Sequence, residues 1–138
     1  MTPLYAQNYD FSAFNVLAVD DIPLNLLLVQ KMLSKFNFKM RTASGGQQAL
    51  DAIAQEKPDL ILLDLMMPGI DGFEVIRRLR EDPATADIQI VILSALNSNE
   101  DVVKGFNAGA NDFIMKPIIM EKLLSCVVNQ LQIAGSKK

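Results

Sequence analysis

Four short apolar runs, each followed at once by a polar residue, constrain the fold of this chain more than any other feature of its sequence. The runs are residues 16–19, 60–63, 90–93 and 113–115. Continuous apolar runs of this length, rich in branched side chains, are typical of strands that are covered on both faces, as in parallel sheets. A fifth run, residues 38–42, is more polar, which indicates a strand at an edge of the sheet.

Helical patterns fill the intervals between these runs. Apolar residues recur every three or four positions over residues 23–36, 46–55, 73–80, 99–108 and 118–133. In the fourth of these segments the stripe consists of Val102, Val103 and Phe106. Strand and helix therefore alternate five times, which predicts an α/β domain with a doubly wound, five-stranded parallel sheet and helices on both faces.

The length of 138 residues allows one domain and no second one. We expect an N-terminal arm or linker over 1–14, the α/β domain over 15–134, and a short tail over 135–138. The arm contains four aromatic residues. It is interpreted first as loose and, alternatively, as docked over part of the core. The short tail predicts that no further domain is attached, and the chain is either free-standing or a segment of a larger protein.

The polar residues that follow the buried runs predict where the functional site lies. In an open α/β sheet, ligands bind beyond the carboxyl ends of the strands, so these side chains should meet in one crevice. Carboxylates about 4 Å apart repel by roughly 4 kcal/mol at an effective dielectric near 20, so such a cluster needs a cation. Oxygen-only ligation with spare positions favours Mg²⁺, and an ammonium and a hydroxyl beside it suit phosphoryl oxygens. The residues are Asp20, Asp21, Asp64, Ser94 and Lys116.

The composition narrows the chemistry further. The chain contains no histidine, which excludes Ser-His-Asp and Cys-His nucleophiles, His-ligated zinc or haem, and a phosphohistidine of its own. The net charge of −3, without a Lys/Arg run, argues against direct nucleic-acid binding. No apolar run approaches the roughly 18 residues of a membrane span. Cys126, the single cysteine, is expected to be buried and inert, and the lack of a disulfide framework suits the cytoplasm.

Four segments, taken together, resemble the receiver domain of two-component response regulators. They follow one another from about Asn15 to Ile133 in the order and spacing of that family. The resemblance implies a flavodoxin-like fold with strand order 2-1-3-4-5. The segments are Val19-Asp20-Asp21-Ile22-Pro23-Leu24-Asn25, residues 60–72 around Asp64, Val91-Ile92-Leu93-Ser94-Ala95, and residues 108–117 with Lys116-Pro117.

The resemblance also implies a role for Asp64 and a metal site around it. Asp64 would accept a phosphoryl group from a phosphohistidine on a partner, either a sensor histidine kinase or a histidine phosphotransfer protein. Mg²⁺ would be bound directly by Asp21 and Asp64, by the backbone carbonyl of Met66, and by Asp20 through water or by orientation. Lys116 would pair with the carboxylate and then with the phosphoryl group.

A conformational switch is the further implication of the resemblance. Ser94 would turn to hydrogen-bond the phosphoryl oxygen, and Phe113 would turn into the space that Ser94 leaves. A permanently buried Phe113 that does not switch remains the alternative. The changed face would comprise residues 99–108, Phe113 and the last helix, and it would bind an output protein of unknown identity or a second phosphorylated copy. The family also implies a cis Lys116–Pro117 peptide.

Two apolar residues flank the expected site, Met66 two positions after Asp64 and Leu96 two positions after Ser94. Many relatives carry polar or charged groups at these positions. We hypothesise that Met66 and Leu96 shield the acyl phosphate from water and slow its loss. Incidental residues without a kinetic effect are the alternative.

Two other functions remain to be weighed. The first is a Mg²⁺-dependent phosphoaspartate phosphohydrolase. That class resembles Asp-x-Asp-x at the nucleophile, whereas this chain has Asp64-Leu65-Met66 and lacks the second carboxylate as general acid. The sequence therefore argues against an enzyme that turns over, and favours self-phosphorylation and autodephosphorylation only. The second is an interaction domain independent of phosphorylation, which the retained site residues support little.

Overall fold

A computed structural model of the chain describes residues 10–96 and 98–137. Five strands alternate with five helices, as the sequence predicts. In chain order the elements are β1 (Asn15–Val19), α1 (Pro23–Met32), β2 (Lys39–Ala43), α2 (Gly46–Gln55), β3 (Leu60–Leu63), α3 (Gly72–Glu81), β4 (Gln89–Ser94), α4 (Asn99–Ala108), β5 (Asp112–Met115) and α5 (Met120–Ser136).

The strands form one parallel sheet in the order β2-β1-β3-β4-β5. The predicted polar strand, β2, lies at an edge. The chain runs outward from β1 to β2 and then returns past β1 to β3, so the strand order reverses between β1 and β3. A reversal of this kind opens a crevice at the carboxyl ends of the two strands. The residues that follow β1 and β3 lie at the mouth of this crevice.

Each face of the sheet buries its own core, because successive side chains of a strand point to opposite faces. On one face the strands pack against α1 and α5, with Val16, Leu62, Leu33 and Leu124 among the buried residues. On the other face they pack against α2 and α3. Both faces of the central strands are therefore covered, which explains why their sequences are continuously apolar.

Three helices differ from the boundaries predicted by periodicity. Helix α3 is one residue longer at each end than the predicted range of 73–80. Helix α1 ends at Met32 rather than at residue 36. The hydroxyl and the backbone N–H of Ser34 both bond the carbonyl of Lys31, which competes with continued helix. Leu33 and Phe36 are nevertheless buried, so the apolar stripe continues through turns beyond the helix. Helix α5 begins two residues later and ends three residues later than predicted.

Two of the three apolar residues in the stripe predicted for α4 face solvent, while Val102 is partly buried. Val103 is 55% exposed and Phe106 is 44% exposed, whereas the one buried residue of this helix is Gly105. A Cβ atom on Gly105 would lie 2.7 Å from Cδ1 of Ile92, so the backbone of α4 lies directly on the sheet at this point. Close approach of the glycine backbone turns the larger apolar residues toward solvent.

The described part of the N-terminal arm is docked, as the second interpretation holds. Phe11 is 5% exposed and contacts the rings of Phe14 and Phe36 edge-on, with centroids 5.7 and 5.6 Å away. Its N–H donates to Oδ1 of Asn37 over 2.7 Å. Residues 1–9, which include both tyrosines, lie outside the described residues.

Two further expectations concern Cys126 and the membrane. Cys126 is a free, buried cysteine, as expected, and its thiol lies 3.3 Å from Oδ2 of Asp112. Burial raises the pKa of this thiol, which opposes formation of the reactive thiolate. Within residues 10–96 and 98–137, no helix has both the length and the apolar character needed to cross a membrane.

Candidate functional site

Backbone hydrogen bonds hold the residues that follow three of the strands. The N–H of Asp20 donates to the carbonyl of Ala43 over 3.1 Å, and the N–H of Asp64 donates to that of Val19 over 3.0 Å. The N–H of Lys116 donates to the carbonyl of Ser94 over 2.8 Å. These bonds extend the sheet ladder past the ends of the strands, so the site residues are attached to its rigid edge.

The predicted meeting of charged side chains at this edge is confirmed. One carboxylate oxygen each of Asp20, Asp21 and Asp64 lies within 4.8 Å of the other two. The ammonium of Lys116 is 3.1 Å from Oδ2 of Asp20 and 3.9 Å from Oδ2 of Asp64. One cation thus faces three anions, and the cluster keeps an excess of negative charge that a divalent cation would neutralise.

Asp64 lies in a setting that opposes its ionisation. It is 6% exposed. Burial raises the pKa of Asp64 above its ordinary value; Lys116 opposes the rise, and repulsion from Asp20 and Asp21 adds to it. The N–H of Met66 lies 3.4 Å from Oδ1 of Asp64 and favours the charged form weakly. A bound cation would therefore favour the carboxylate form of Asp64, which is the nucleophilic one.

Three donors hold the carboxylate of Asp20. Oδ1 accepts from the N–H of Ile22 over 2.9 Å. Oδ2 accepts from the amide of Asn25 over 3.0 Å and from Lys116 over 3.1 Å. Sequence reasoning assigned no role to Asn25. The signal was its place in the first turn of α1, because a side chain there lies next to the loop that carries Asp20.

Ser94 and Lys116 lie side by side, at the ends of β4 and β5. Ser94 is fully buried, and its hydroxyl oxygen accepts a hydrogen bond from the N–H of Leu96 over 3.1 Å. The peptide bond between Lys116 and Pro117 is cis, as the resemblance implies. The hydroxyl of Ser94 and the ammonium of Lys116 thus both lie at the edge of the sheet that carries Asp64.

The loop after β3 brings the start of α3 close to Asp64. A Cβ atom on Gly72 would lie 2.6 Å from the carbonyl oxygen of Asp64, so a larger residue would push the helix away. Asp71 caps this helix by accepting from the N–H of Glu74 over 2.9 Å. The loop is thereby fixed at both ends.

The two apolar residues that flank the site lie in one surface depression of about 470 Å³, which Phe73 and Lys104 also line. Met66 is 60% exposed, and Leu96 is partly buried. Their side chains are therefore available at the surface beside the loop that follows Asp64.

Phe113 is partly buried beneath α4. A Cβ atom on Gly105 would lie 3.2 Å from Cδ2 of the Phe113 ring, so the ring rests against the glycine backbone. The ring can therefore turn only if α4 moves or if the Phe113 side chain adopts another rotamer. Its contact with α4 makes it a physical link between the edge of the sheet and that helix.

Comparisons with known proteins agree with this geometry. Residues 16–128 match the family model described as the response regulator receiver domain. Protein PilH of Pseudomonas aeruginosa is 35% identical over 112 residues, which cover 81% of this chain and 93% of that protein. The response regulator PleD of Caulobacter vibrioides is 45% identical over 103 residues, which cover 75% of this chain. The chain spans only 23% of PleD and 46% of RpaA, a transcriptional regulator of Synechocystis.

Solved structures of response regulators are also similar to this chain. A response regulator from Chloroflexus aurantiacus superimposes with a TM-score of 0.82 at 33% identity, covering 86% of this chain and 98% of that one. The BeF₃-activated receiver domain of DrrB has a TM-score of 0.78 at 30% identity, covering 86% of this chain and 97% of that one. Both similarities thus extend over most of this chain.

Proposed function

The chain belongs to the response regulator receiver domain family, and on that premise we propose that Asp64 is its phosphoacceptor in two-component (phosphorelay) signal transduction. The observation that carries the proposal is the gathering of Asp20, Asp21, Asp64 and Lys116 at one edge of the sheet. The chain has no histidine. A phosphohistidine donor must therefore lie outside these 138 residues, and we propose that it belongs to a sensor histidine kinase or a histidine phosphotransfer protein.

In the proposed reaction a carboxylate oxygen of Asp64 attacks the phosphorus of the donor's phosphohistidine. A P–O bond forms as the P–N bond breaks, and the donor imidazole keeps the electron pair of that bond and takes up a proton. The product is an aspartyl phosphate. Such a transfer depends mainly on alignment and on stabilisation of charge at the phosphoryl oxygens, which these few groups can supply.

Receiver domains generally bind Mg²⁺ at an acidic pocket, and the cluster of Asp20, Asp21 and Asp64 fits a hard divalent cation by its oxygen ligands. We propose that Asp21, Asp64 and the backbone carbonyl of Met66 bind it directly and that Asp20 acts through water or by orientation. When bound, Mg²⁺ would neutralise charge on the phosphoryl oxygens.

Lys116 and Ser94 have separate tasks in this proposal. Lys116 already lies 3.9 Å from Asp64, so a small movement brings its ammonium to a phosphoryl oxygen. Ser94 would give up the hydrogen bond that it accepts from the N–H of Leu96, and its hydroxyl would donate a hydrogen bond to a phosphoryl oxygen instead. Withdrawal of Ser94 would draw in the loop after β4 and make room for Phe113.

The readout would be a changed surface formed by α4, β5 and α5. Val103 and Phe106 of α4 and Met115 of β5 are each between 44% and 55% exposed, as is Met120 of α5. Exposed apolar residues on adjacent elements are typical of protein-binding surfaces. We propose that an output protein, or a second phosphorylated copy of this chain, binds there.

The remaining expectations stay proposals as well. Because the chain spans a minor part of several relatives, any output activity of a whole protein that contains it is open. We propose that the chain itself performs only self-phosphorylation and autodephosphorylation, without turnover of a free substrate. A cytoplasmic location suits its free cysteine.

Intact-mass analysis after incubation with Mg²⁺ and acetyl phosphate tests the proposal. The wild type should gain one phosphoryl group, and the Asp64→Asn variant should gain none. An Asp51→Asn variant, which changes an exposed carboxylate of α2, serves as the matched control and should be phosphorylated like the wild type.

Three results would count against the proposal. A wild type that stays unmodified would favour an interaction domain independent of phosphorylation. Continuous release of phosphate at enzyme-like rates would favour the phosphohydrolase. Equal phosphorylation of the Asp64→Asn variant would place the acceptor elsewhere.

A further inference from the structure

Asn25 contacts the functional site without being one of the residues expected there. It lies in the first turn of α1, and its amide donates to Oδ2 of Asp20 over 3.0 Å. Asp20 is 6% exposed and Asn25 is partly buried, so this is a partly buried, charge-assisted hydrogen bond. Bonds of this kind are stronger than those between neutral groups.

The bond matters because the other described side chain that donates to Oδ2 of Asp20, Lys116, also faces Asp64. Lys116 lies 3.1 Å from Oδ2 of Asp20 and 3.9 Å from Oδ2 of Asp64. The proposed function requires Lys116 to move toward Asp64 once that residue carries a phosphoryl group. When Lys116 moves, Asn25 is the described side chain that still donates to Oδ2 of Asp20.

We infer that Asn25 is a positioning residue, which holds the carboxylate of Asp20 in place for the cation independently of Lys116. This inference rests on the proposed function. Without the amide of Asn25, Lys116 would be the one described side chain that donates to Oδ2 of Asp20. The ion pair between Lys116 and Asp20 would then compete with the cation for this carboxylate. Loss of a donor of this kind, which orients a metal-binding carboxylate, typically weakens metal binding by roughly 10- to 100-fold.

The residues around Asn25 indicate which substitution would remove its amide with the least effect on packing. Together with Asp20 and Lys116, it lines a cavity of about 280 Å³ whose other walls are apolar, including Leu28 and Val29. Leucine has nearly the shape of asparagine, favours helix more strongly, and suits apolar walls. Asn25→Leu therefore removes the donor with little other change, and Asn25→Ala provides a second, smaller variant.

The experiment measures Mg²⁺ affinity in two independent ways. Isothermal titration of each protein with MgCl₂ gives the affinity directly, and the rate of acetyl phosphate-dependent phosphorylation gives the half-saturating Mg²⁺ concentration. Both variants should bind Mg²⁺ roughly tenfold more weakly than the wild type. Phosphorylation at saturating Mg²⁺ should stay within about twofold, because the reacting groups are intact. Asn129→Leu, on the exposed side of α5, is the matched control and should bind like the wild type.

Several outcomes would overturn the inference. Unchanged or tighter Mg²⁺ binding by both variants would do so, as would a wild type that binds no Mg²⁺. So would a lower melting temperature in metal-free buffer without any shift in half-saturation, because that result describes a merely structural residue. If the wild type binds Mg²⁺ but is not phosphorylated, the proposed function fails while the titration still decides the role of Asn25.

Discussion

Replacing Asp64 by asparagine is expected to stabilise the folded chain in metal-free buffer at neutral pH. Asp64 is 6% exposed, and it lies in a cluster with two other carboxylates and a single lysine. Asparagine has nearly the same shape and carries no charge. The substitution therefore removes repulsion and the cost of burying a charge, and it leaves the packing almost unchanged.

The size of the effect follows from the distances. At an effective dielectric near 20, a like-charged pair at 4.8 Å, the upper limit of the separations in this cluster, repels by about 3.5 kcal/mol, and Lys116 at 3.9 Å attracts Asp64 by about 4 kcal/mol. Lys116 thus offsets about one of the two repulsions that act on Asp64. The repulsion that remains is about 3 kcal/mol. We therefore expect Asp64→Asn to raise the free energy of unfolding by about 3 kcal/mol, which is a rise in Tm of about 10 °C for a domain of this size.

The effect should depend on pH in a defined direction. Burial is the largest cause that raises the pKa of Asp64 above its ordinary value of 3.8. The folded chain thus holds this proton more tightly than the unfolded chain does. The cost of Asp64 is absent below its ordinary pKa, grows as the pH rises from the ordinary to the raised pKa, and is complete above the raised pKa. The stability difference between the variant and the wild type should grow over the same range.

Urea unfolding with EDTA, followed by circular dichroism between about pH 3.5 and pH 7, measures this difference. Added Mg²⁺ should reduce it, since binding stabilises the wild type by mass action. The control variant Asp51→Asn should change stability by less than about 0.5 kcal/mol. A variant no more stable than the wild type at pH 7, or a gain that grows as the pH falls, would refute the reasoning.

Three further variants test separate features. Gly105→Ala should lower the free energy of unfolding in urea by about 1–3 kcal/mol, because the added Cβ would crowd the sheet and the Phe113 ring. This loss should outweigh the higher helix propensity of alanine, and a more stable variant would contradict the close packing of α4. The pair Met66→Asn and Leu96→Glu should shorten the phosphoryl lifetime several-fold in a time course of intact mass, and an unchanged lifetime would end the shielding hypothesis. Phe11→Ala should cost about 3 kcal/mol in thermal unfolding if the arm belongs to the core, whereas a change under about 0.5 kcal/mol would show that its packing contributes little.

Much of the site was predictable because a parallel sheet brings the carboxyl ends of its strands to one edge. Asp20, Asp64 and Lys116 each directly follow an apolar run, and the alternation of strands and helices was enough to bring them together. The contact between Asn25 and Asp20 was not predictable in the same way. It depends on the angle at which α1 leaves the loop after β1, which a single sequence does not contain.

The sequence by itself determined the fold class and the residues of the acidic site. Its apolar periods differ between strand and helix, and covered parallel strands admit few arrangements. Only the tertiary structure decided how individual side chains pair. It showed that Lys116 lies closer to Asp20 than to Asp64, that Gly105 rather than Val103 or Phe106 faces the sheet, and that Phe11 docks. Lys116 and Asp20 are 96 positions apart in the chain. Periodicity describes neighbours along one element, whereas such contacts depend on how separate elements are rotated and packed against each other.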